Sequence, residues 1–258
     1  MSHRRGADAT ARPSPHYEPD HRFATLPFPD EYVLLCQMAN PSIIERKERF
    51  ARKMAGRAKA TVRSHDRLPP GQHLTTGFPV LDLGIQPEIA LSDWRLEIGG
   101  LVENPTTFTW EQFQALPQFE DVSDFHCVTT WSKFDVRWNG VGFFTIADIV
   151  RPKAEARHVL FTSYDDYTTN VGVDDVMDDD VLIATGYDGR PLPREHGGPA
   201  RMVIPKLYAW KSAKFLRAVE FTAEDKPGFW EVRGYSNTAD PWTEDRFSAE
   251  GPPASYSA

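Results

Sequence analysis

Apolar and polar residues alternate through Trp94-Arg95-Leu96-Glu97-Ile98, the period of a strand with one face buried. Gly99-Gly100 is expected to break it. Phe108-Thr109-Trp110-Glu111-Gln112-Phe113 reads as a strand passing into a short helix that ends before Pro117. Val122-Ser123-Asp124-Phe125-His126 predicts a further short strand with Cys127 at its end. From Val141 to Val150 the pattern predicts a strand, a turn and a helix. Val159-Leu160-Phe161-Thr162-Ser163 predicts a strand whose last polar residues face an opening. Val181-Leu182-Ile183-Ala184 and Arg201-Met202-Val203-Ile204 predict buried strands, with a tight turn at Asp188-Gly189 between them, and Phe215 to Thr222 a last strand. No internal repeat is visible. The whole predicts an α+β fold, a mixed sheet of short strands with short helices.

The first part of the chain has a different texture. Residues 1–30 are polar and dotted with proline, and are expected to be mobile. After Pro41, Ser42-Ile43-Ile44-Glu45 is a capping box that starts a helix expected to reach about Lys59. This arm, residues 1–70, carries 13 Lys and Arg against 8 Asp and Glu, so the remainder carries -13 of the net charge of -8. A basic arm on an acidic body is a solvated helix or a docking segment for a partner. The overall negative charge disfavours nucleic acid as a partner. No apolar run is long enough for a membrane span. Arg4-Arg5 is followed by Gly6-Ala7-Asp8-Ala9, not by an apolar signal core, so export is not expected and a cytoplasmic location is. The body is expected to run over residues 71–222, with a C-terminal extension, residues 223–258, rich in Trp, Pro and acidic residues and contributing to the rim of the site.

The chain has 2 cysteines, too few for an all-cysteine metal cage. Cys36 in Tyr32-Val33-Leu34-Leu35-Cys36 reads as a small core hydrophobe. Cys127, in Phe125-His126-Cys127-Val128-Thr129-Thr130-Trp131-Ser132, is a buried core thiol, a nucleophile, or the single protein ligand of a metal held mainly by a cofactor. About seventy residues on, His196-Gly197-Gly198-Pro199-Ala200-Arg201, Lys206 and Lys211-Ser212-Ala213-Lys214 read together as an anion-binding wall.

His126 to Ser132, followed by His196 to Arg201 and Lys211 to Lys214, resembles the molybdopterin-binding domain of the sulfite oxidase family, most of all its small haem-free bacterial and archaeal members. The resemblance spans roughly Gly71 to Thr222. It implies that family's mixed-sheet fold and a molybdenum-molybdopterin cofactor, with Cys127 as metal ligand. It implies cofactor contacts from Phe78, Leu81, Asp82, Thr162, His196, Arg201, Ser212, Ala213 and Lys214, with the cations on the cofactor phosphate. Tyr235 resembles the family's active-site tyrosine. His126 is expected to look away from the metal, because adjacent strand residues face opposite ways. The arginine that follows the cysteine in sulfite oxidases is missing; Ser132-Lys133-Phe134 stands there, with Arg137 further on.

The resemblance therefore implies an oxidoreductase that transfers an oxygen atom and two electrons to or from a small S-oxide, N-oxide or oxyanion. No haem or flavin motif is present, which implies an external electron donor or acceptor protein. Two rival readings are a cysteine hydrolase or transferase using Cys127 with His126 or His196, and a non-catalytic anion-binding module.

Overall fold

A computed structural model describes residues 67–249. The basic helix expected over Ser42–Lys59 and Cys36 lie outside the described residues. Among the described residues eleven strands form two sheets. In chain order they are β1 (His73–Leu74), β2 (Arg95–Gly100), β3 (Thr106–Thr109), β4 (Gln118–His126), β5 (Trp131–Gly142), β6 (His158–Ser163), β7 (Thr168–Gly172), β8 (Leu182–Tyr187), β9 (Arg190–Pro191), β10 (Arg201–Val203) and β11 (Leu216–Thr222). Three short helices intervene: α1 (Trp110–Gln114), α2 (Phe143–Val150) and α3 (Val173–Val176). The six-stranded sheet is built around β5, which takes β4 on one side and β1 and β8 on the other, with β10 and β9 beyond β8. The second sheet has the order β3-β2-β11-β6-β7, with β2 and β11 parallel. Both sheets mix parallel and antiparallel pairs, so the fold is α+β with mixed sheets. Among the described residues no helix is long and apolar enough to cross a membrane.

Two cores share the first sheet as a wall. Ile183 of β8 and Met202 of β10 face the larger core, built with Leu96, Phe161, Val219 and Ile146. Leu182, Ala184 and Val203 face a smaller core with Phe125, Cys127, Trp131 and Trp138. This alternation explains the unbroken apolar run at β8: both faces of the strand are covered. It also places Arg201, two residues before Val203, on the face of the smaller core.

Several boundaries differ from the sequence expectation. β2 does not break at Gly99-Gly100 but runs through both. Gly100 has a φ of +79°, and a Cβ on it would lie 2.2 Å from the Phe221 carbonyl oxygen, so the glycine serves a close strand contact. The strand before Cys127 starts earlier, at Gln118. The Asp188-Gly189 turn links β8 to β9, not to β10. The short helix α1 forms where expected, capped reciprocally by Thr109 and Gln112. β5 and β7 had no sequence expectation over most of their length; β7 buries Thr169 and Asn170, which carry no apolar signal.

Candidate active site

β4 and β5 pair antiparallel, and the four residues between them carry the thiol. The loop is closed by Cys127 N donating to the Trp131 carbonyl at 2.9 Å and Thr130 N to the Cys127 carbonyl at 3.1 Å, with Thr130 at a φ of +75°. Phe125 and Cys127 point into a cavity of about 330 Å³, while His126 does not line it. The His126 ring instead meets the Ser132 hydroxyl at 2.8 Å, and burial pushes its pKa down to about 4. The Cys127 sulfur meets the Thr129 hydroxyl, 3.1 Å away. Burial raises the thiol pKa; the Thr129 hydrogen bond and the nearby Arg246 charge oppose that.

The cavity has two chemically distinct ends. At one, Phe78 stacks on His196 with ring centroids 4.1 Å apart and planes 16° apart, beside Arg201, Ser212 and Lys214. Arg201 is buried. Its Nε donates to the Met202 carbonyl at 3.2 Å, Nη1 to the His196 carbonyl at 2.8 Å and Nη2 to the Ser212 carbonyl at 2.9 Å. Of the five N–H donors of a guanidinium, these bonds leave one on each Nη for a ligand. Among the described residues no carboxylate pairs with it, and burial alone pulls its pKa down, yet a guanidinium stays protonated in a folded protein. Burial and then Arg201 lower Lys214 to about 8. Burial, Arg201 and Lys214 lower His196 in turn. Asp82, lowered by its hydrogen bond from Gln86, and Asp165, raised by burial, stand at this end. Lys214 Nζ donates to the Glu195 carbonyl at 2.7 Å.

The other end is aromatic: Trp210, Trp230, Tyr235 and Tyr167, with Val128 and Thr129. Tyr235 packs against Trp230 (4.9 Å between centroids), Trp210 (5.4 Å) and Phe247 (5.1 Å). Behind Trp210 lies a buried ion pair, Lys211 Nζ to Glu231 Oε1 at 2.6 Å, and the same oxygen accepts from Trp210 Nε1 at 3.0 Å and Thr169 Oγ1 at 3.0 Å.

The cavity thus gathers Phe78, Leu81, Asp82, Cys127, His196, Arg201, Ser212, Lys214 and Tyr235. Thr162 and Ala213 do not line it. Thr162 sits within the second sheet, paired with Ala218 and Thr168, and Ala213 is buried in the larger core. Two cations of the expected wall are elsewhere: Lys206 pairs with Asp175 (2.8 Å) and Asp178 (3.1 Å), and Lys211 is spent on Glu231. The cations near the cysteine in sequence do not reach the cavity either. Lys133 donates to the Thr76 carbonyl at 3.2 Å, and Arg137 pairs with Glu120 at 3.1 Å. Trp210, Trp230 and Thr129 also line the cavity and were not among the expected site residues; Thr129 sits two residues after the thiol.

A family model described as the oxidoreductase molybdopterin binding domain matches residues 83–230, more than half of the 258-residue chain. The chain belongs to this family. It is a molybdopterin-dependent oxidoreductase domain, and the site fits such a cofactor: among the described residues the buried Arg201 guanidinium meets carbonyls and the Phe125 and Trp138 rings but no carboxylate, and a cofactor phosphate would supply the missing anion. The oxidoreductase YuiH of Bacillus subtilis (strain 168), itself uncharacterized, is 44% identical over 183 residues, 70% of this chain and 92% of that protein. A putative protein-methionine-sulfoxide reductase subunit of Azospira oryzae is 32% identical over 58% of this chain and 56% of its own length. The protein-methionine-sulfoxide reductase catalytic subunit of Campylobacter jejuni is 30% identical over 54% of this chain and 52% of its own. The chain thus spans about half the length of those two reductase relatives. The sulfane dehydrogenase SoxCD from Paracoccus pantotrophus aligns over 54% of this chain and 40% of that one, at 23% identity and a TM-score of 0.49.

Proposed function

We propose that this molybdopterin oxidoreductase reduces an uncharged S-oxide bound at the aromatic end of the cavity, with Cys127 as the protein ligand of the metal. The observation that carries the reading is the division of one cavity into a cationic end and an aromatic end, with the thiol in the same wall. When bound, the cofactor supplies the two-electron exchange and the oxygen-atom transfer. The remaining work belongs to the chain. Arg201 and Lys214 hold the phosphate, and the Phe78–His196 stack offers a flat face to the pterin. A coordinating cysteine gives up its proton, which replaces the buried thiol by a thiolate partnered by metal. Trp210, Trp230 and Tyr235 offer polarisable, apolar surface to an alkyl sulfoxide. The Tyr235 phenol is the hydrogen-bond donor for the sulfoxide oxygen.

The relatives' names support this substrate class, since two are methionine-sulfoxide reductase subunits. Each is also named a subunit, which supports a partner protein, and we take that partner to be the external electron donor. Sulfite is disfavoured: it is a compact dianion, and the cavity's cations stand at the phosphate end. The cysteine-hydrolase reading lacks a base, since His126 is turned to Ser132 and His196 is stacked on Phe78.

Cys127→Ser tests the ligand assignment. The variant is expected to fold and to retain pterin through Arg201 and Lys214, while S-oxide turnover is lost, because an alcohol is a harder and more basic donor than a thiolate. Full turnover by a folded, molybdenum-loaded serine variant would remove Cys127 from the metal.

A further inference from the structure

Two polar side chains that reach back to the thiol loop lie on either side of the family-matched residues. Gln72 precedes the matched region and Arg246 follows it. Gln72 Nε2 donates to the Cys127 carbonyl at 3.2 Å. Arg246 Nη1 donates to the carbonyl of the next residue, Val128. Both side chains are held in place. β1 lies parallel to the start of β5, with His73 N donating to the Thr130 carbonyl at 2.8 Å and Thr75 N to the Ser132 carbonyl at 2.9 Å. The Ser132 hydroxyl donates to Gln72 Oε1 at 3.3 Å. Arg246 lies over the Tyr208 ring, 5.2 Å from its centroid, and its Nη2 is 3.8 Å from Glu244 Oε1, with its side chain only 15% exposed. The flanks also touch each other: a Cβ on Gly71 would lie 2.2 Å from Glu244 Oε1 and 3.4 Å from Arg246 Nη2.

We infer that Gln72 and Arg246 form a two-sided clamp on the Cys127 and Val128 carbonyls, which fixes the thiol's direction and sets a positive charge behind it that favours the electron-rich state of the bound metal. The inference rests on Cys127 being the metal ligand. Hydrogen bonds and charge around a ligating group orient it and tune its metal, and a charge buried in this degree is screened less than a surface one. Arg246 does not line the cavity, so it is a positioning residue. The same segment also sets Tyr235 through the bridge between Tyr235 and Phe247. One strap therefore governs the thiol loop and the phenol together.

The test compares the molybdenum-loaded unmodified protein with Arg246→Gln, Arg246→Lys and Glu244→Gln. Molybdenum content, the thiolate-to-metal absorption band and the metal's midpoint potential are measured for each. Arg246→Gln is expected to shift the band and lower the potential by the equivalent of roughly tenfold in the one-electron equilibrium, about 59 mV. Arg246→Lys is expected to keep most of the unmodified value. Glu244→Gln removes a negative charge beside Arg246 and is expected to move the potential the opposite way. General loosening of the loop would not produce shifts of opposite sign. A potential unmoved in Arg246→Gln, or moved in the same direction by both neutralising variants, overturns the clamp. If Arg246→Gln does not fold, Glu244→Gln decides alone: a rise supports the clamp, and no change or a fall overturns it. If the unmodified loaded protein has no thiolate-to-metal band, the ligand assignment fails and the clamp's effect on the metal fails with it; a band present with unshifted variants overturns the clamp only.

Discussion

Arg201 keeps its charge among three carbonyl oxygens and the Phe125 and Trp138 rings, and Lys214 lines the same cavity. A charge-assisted contact to an anion is worth about 1.5–3 kcal/mol. Arg201→Ala is therefore expected to weaken cofactor retention roughly ten- to hundredfold, read as pterin content after dialysis; unchanged retention would place the phosphate elsewhere. Lys214 gives a pH dependence. Without the cofactor its pKa is lowered to about 8, mainly by burial. An anion beside it favours the protonated form, so binding raises that pKa. Retention is thus full below pH 8 and falls as pH rises above it, by up to about tenfold per pH unit, because binding must then take up a proton. Lys214→Arg, which stays charged, is expected to flatten the profile; an unmodified protein with no loss between pH 7 and pH 9.5 would contradict this. Cys127, Arg201 and Lys214 were legible because their spacing resembles a known family. Thr162 was not, because a polar residue near a strand end says nothing of which sheet face it takes. Arg246 gave no local signal at all: its role depends on a chain reversal that brings residue 246 beside residue 128.

The β4–β5 hairpin is the element that matters most to the site, and only half of it was visible beforehand. β4 shows alternation near Cys127. β5 interrupts its apolar positions with Asp135, Asn139 and Gly140, and has an irregular register against β4 and β8. Such a strand is defined by its partners more than by its own pattern. The same holds for β7, whose Asn170 carbonyl accepts from Lys211 Nζ at 2.8 Å. At the back of the aromatic end, Lys211 and Glu231 link three segments of chain. Both side chains are almost fully buried, so removing one charge strands the other. Glu231→Gln is expected to cost about 3–5 kcal/mol in urea unfolding. Replacing both, Lys211→Met with Glu231→Leu, is expected to recover much of that loss. A single variant as stable as the unmodified protein would mean that the pair is not ionised in the fold.

At the scale of the molecule, two sheets and their two cores carry one cavity, and the segments on either side of the family-matched residues complete its wall. The α+β character followed from short alternating runs and punctuating glycines and prolines. The two-ended cavity did not, since it is assembled from residues 78 to 235 by tertiary contact. On the proposed function, the aromatic end selects a neutral S-oxide over a dianion. The measurement that tests it most directly is a steady-state comparison on the molybdenum-loaded protein: reduction of a methionine sulfoxide with a reduced dye, against oxidation of sulfite with an oxidised one. S-oxide reduction is expected with a kcat/KM of about 10⁴ M⁻¹s⁻¹ or more, well above that for sulfite, and slowed by Tyr235→Phe at unchanged molybdenum content. Efficient sulfite oxidation with negligible S-oxide reduction would contradict it.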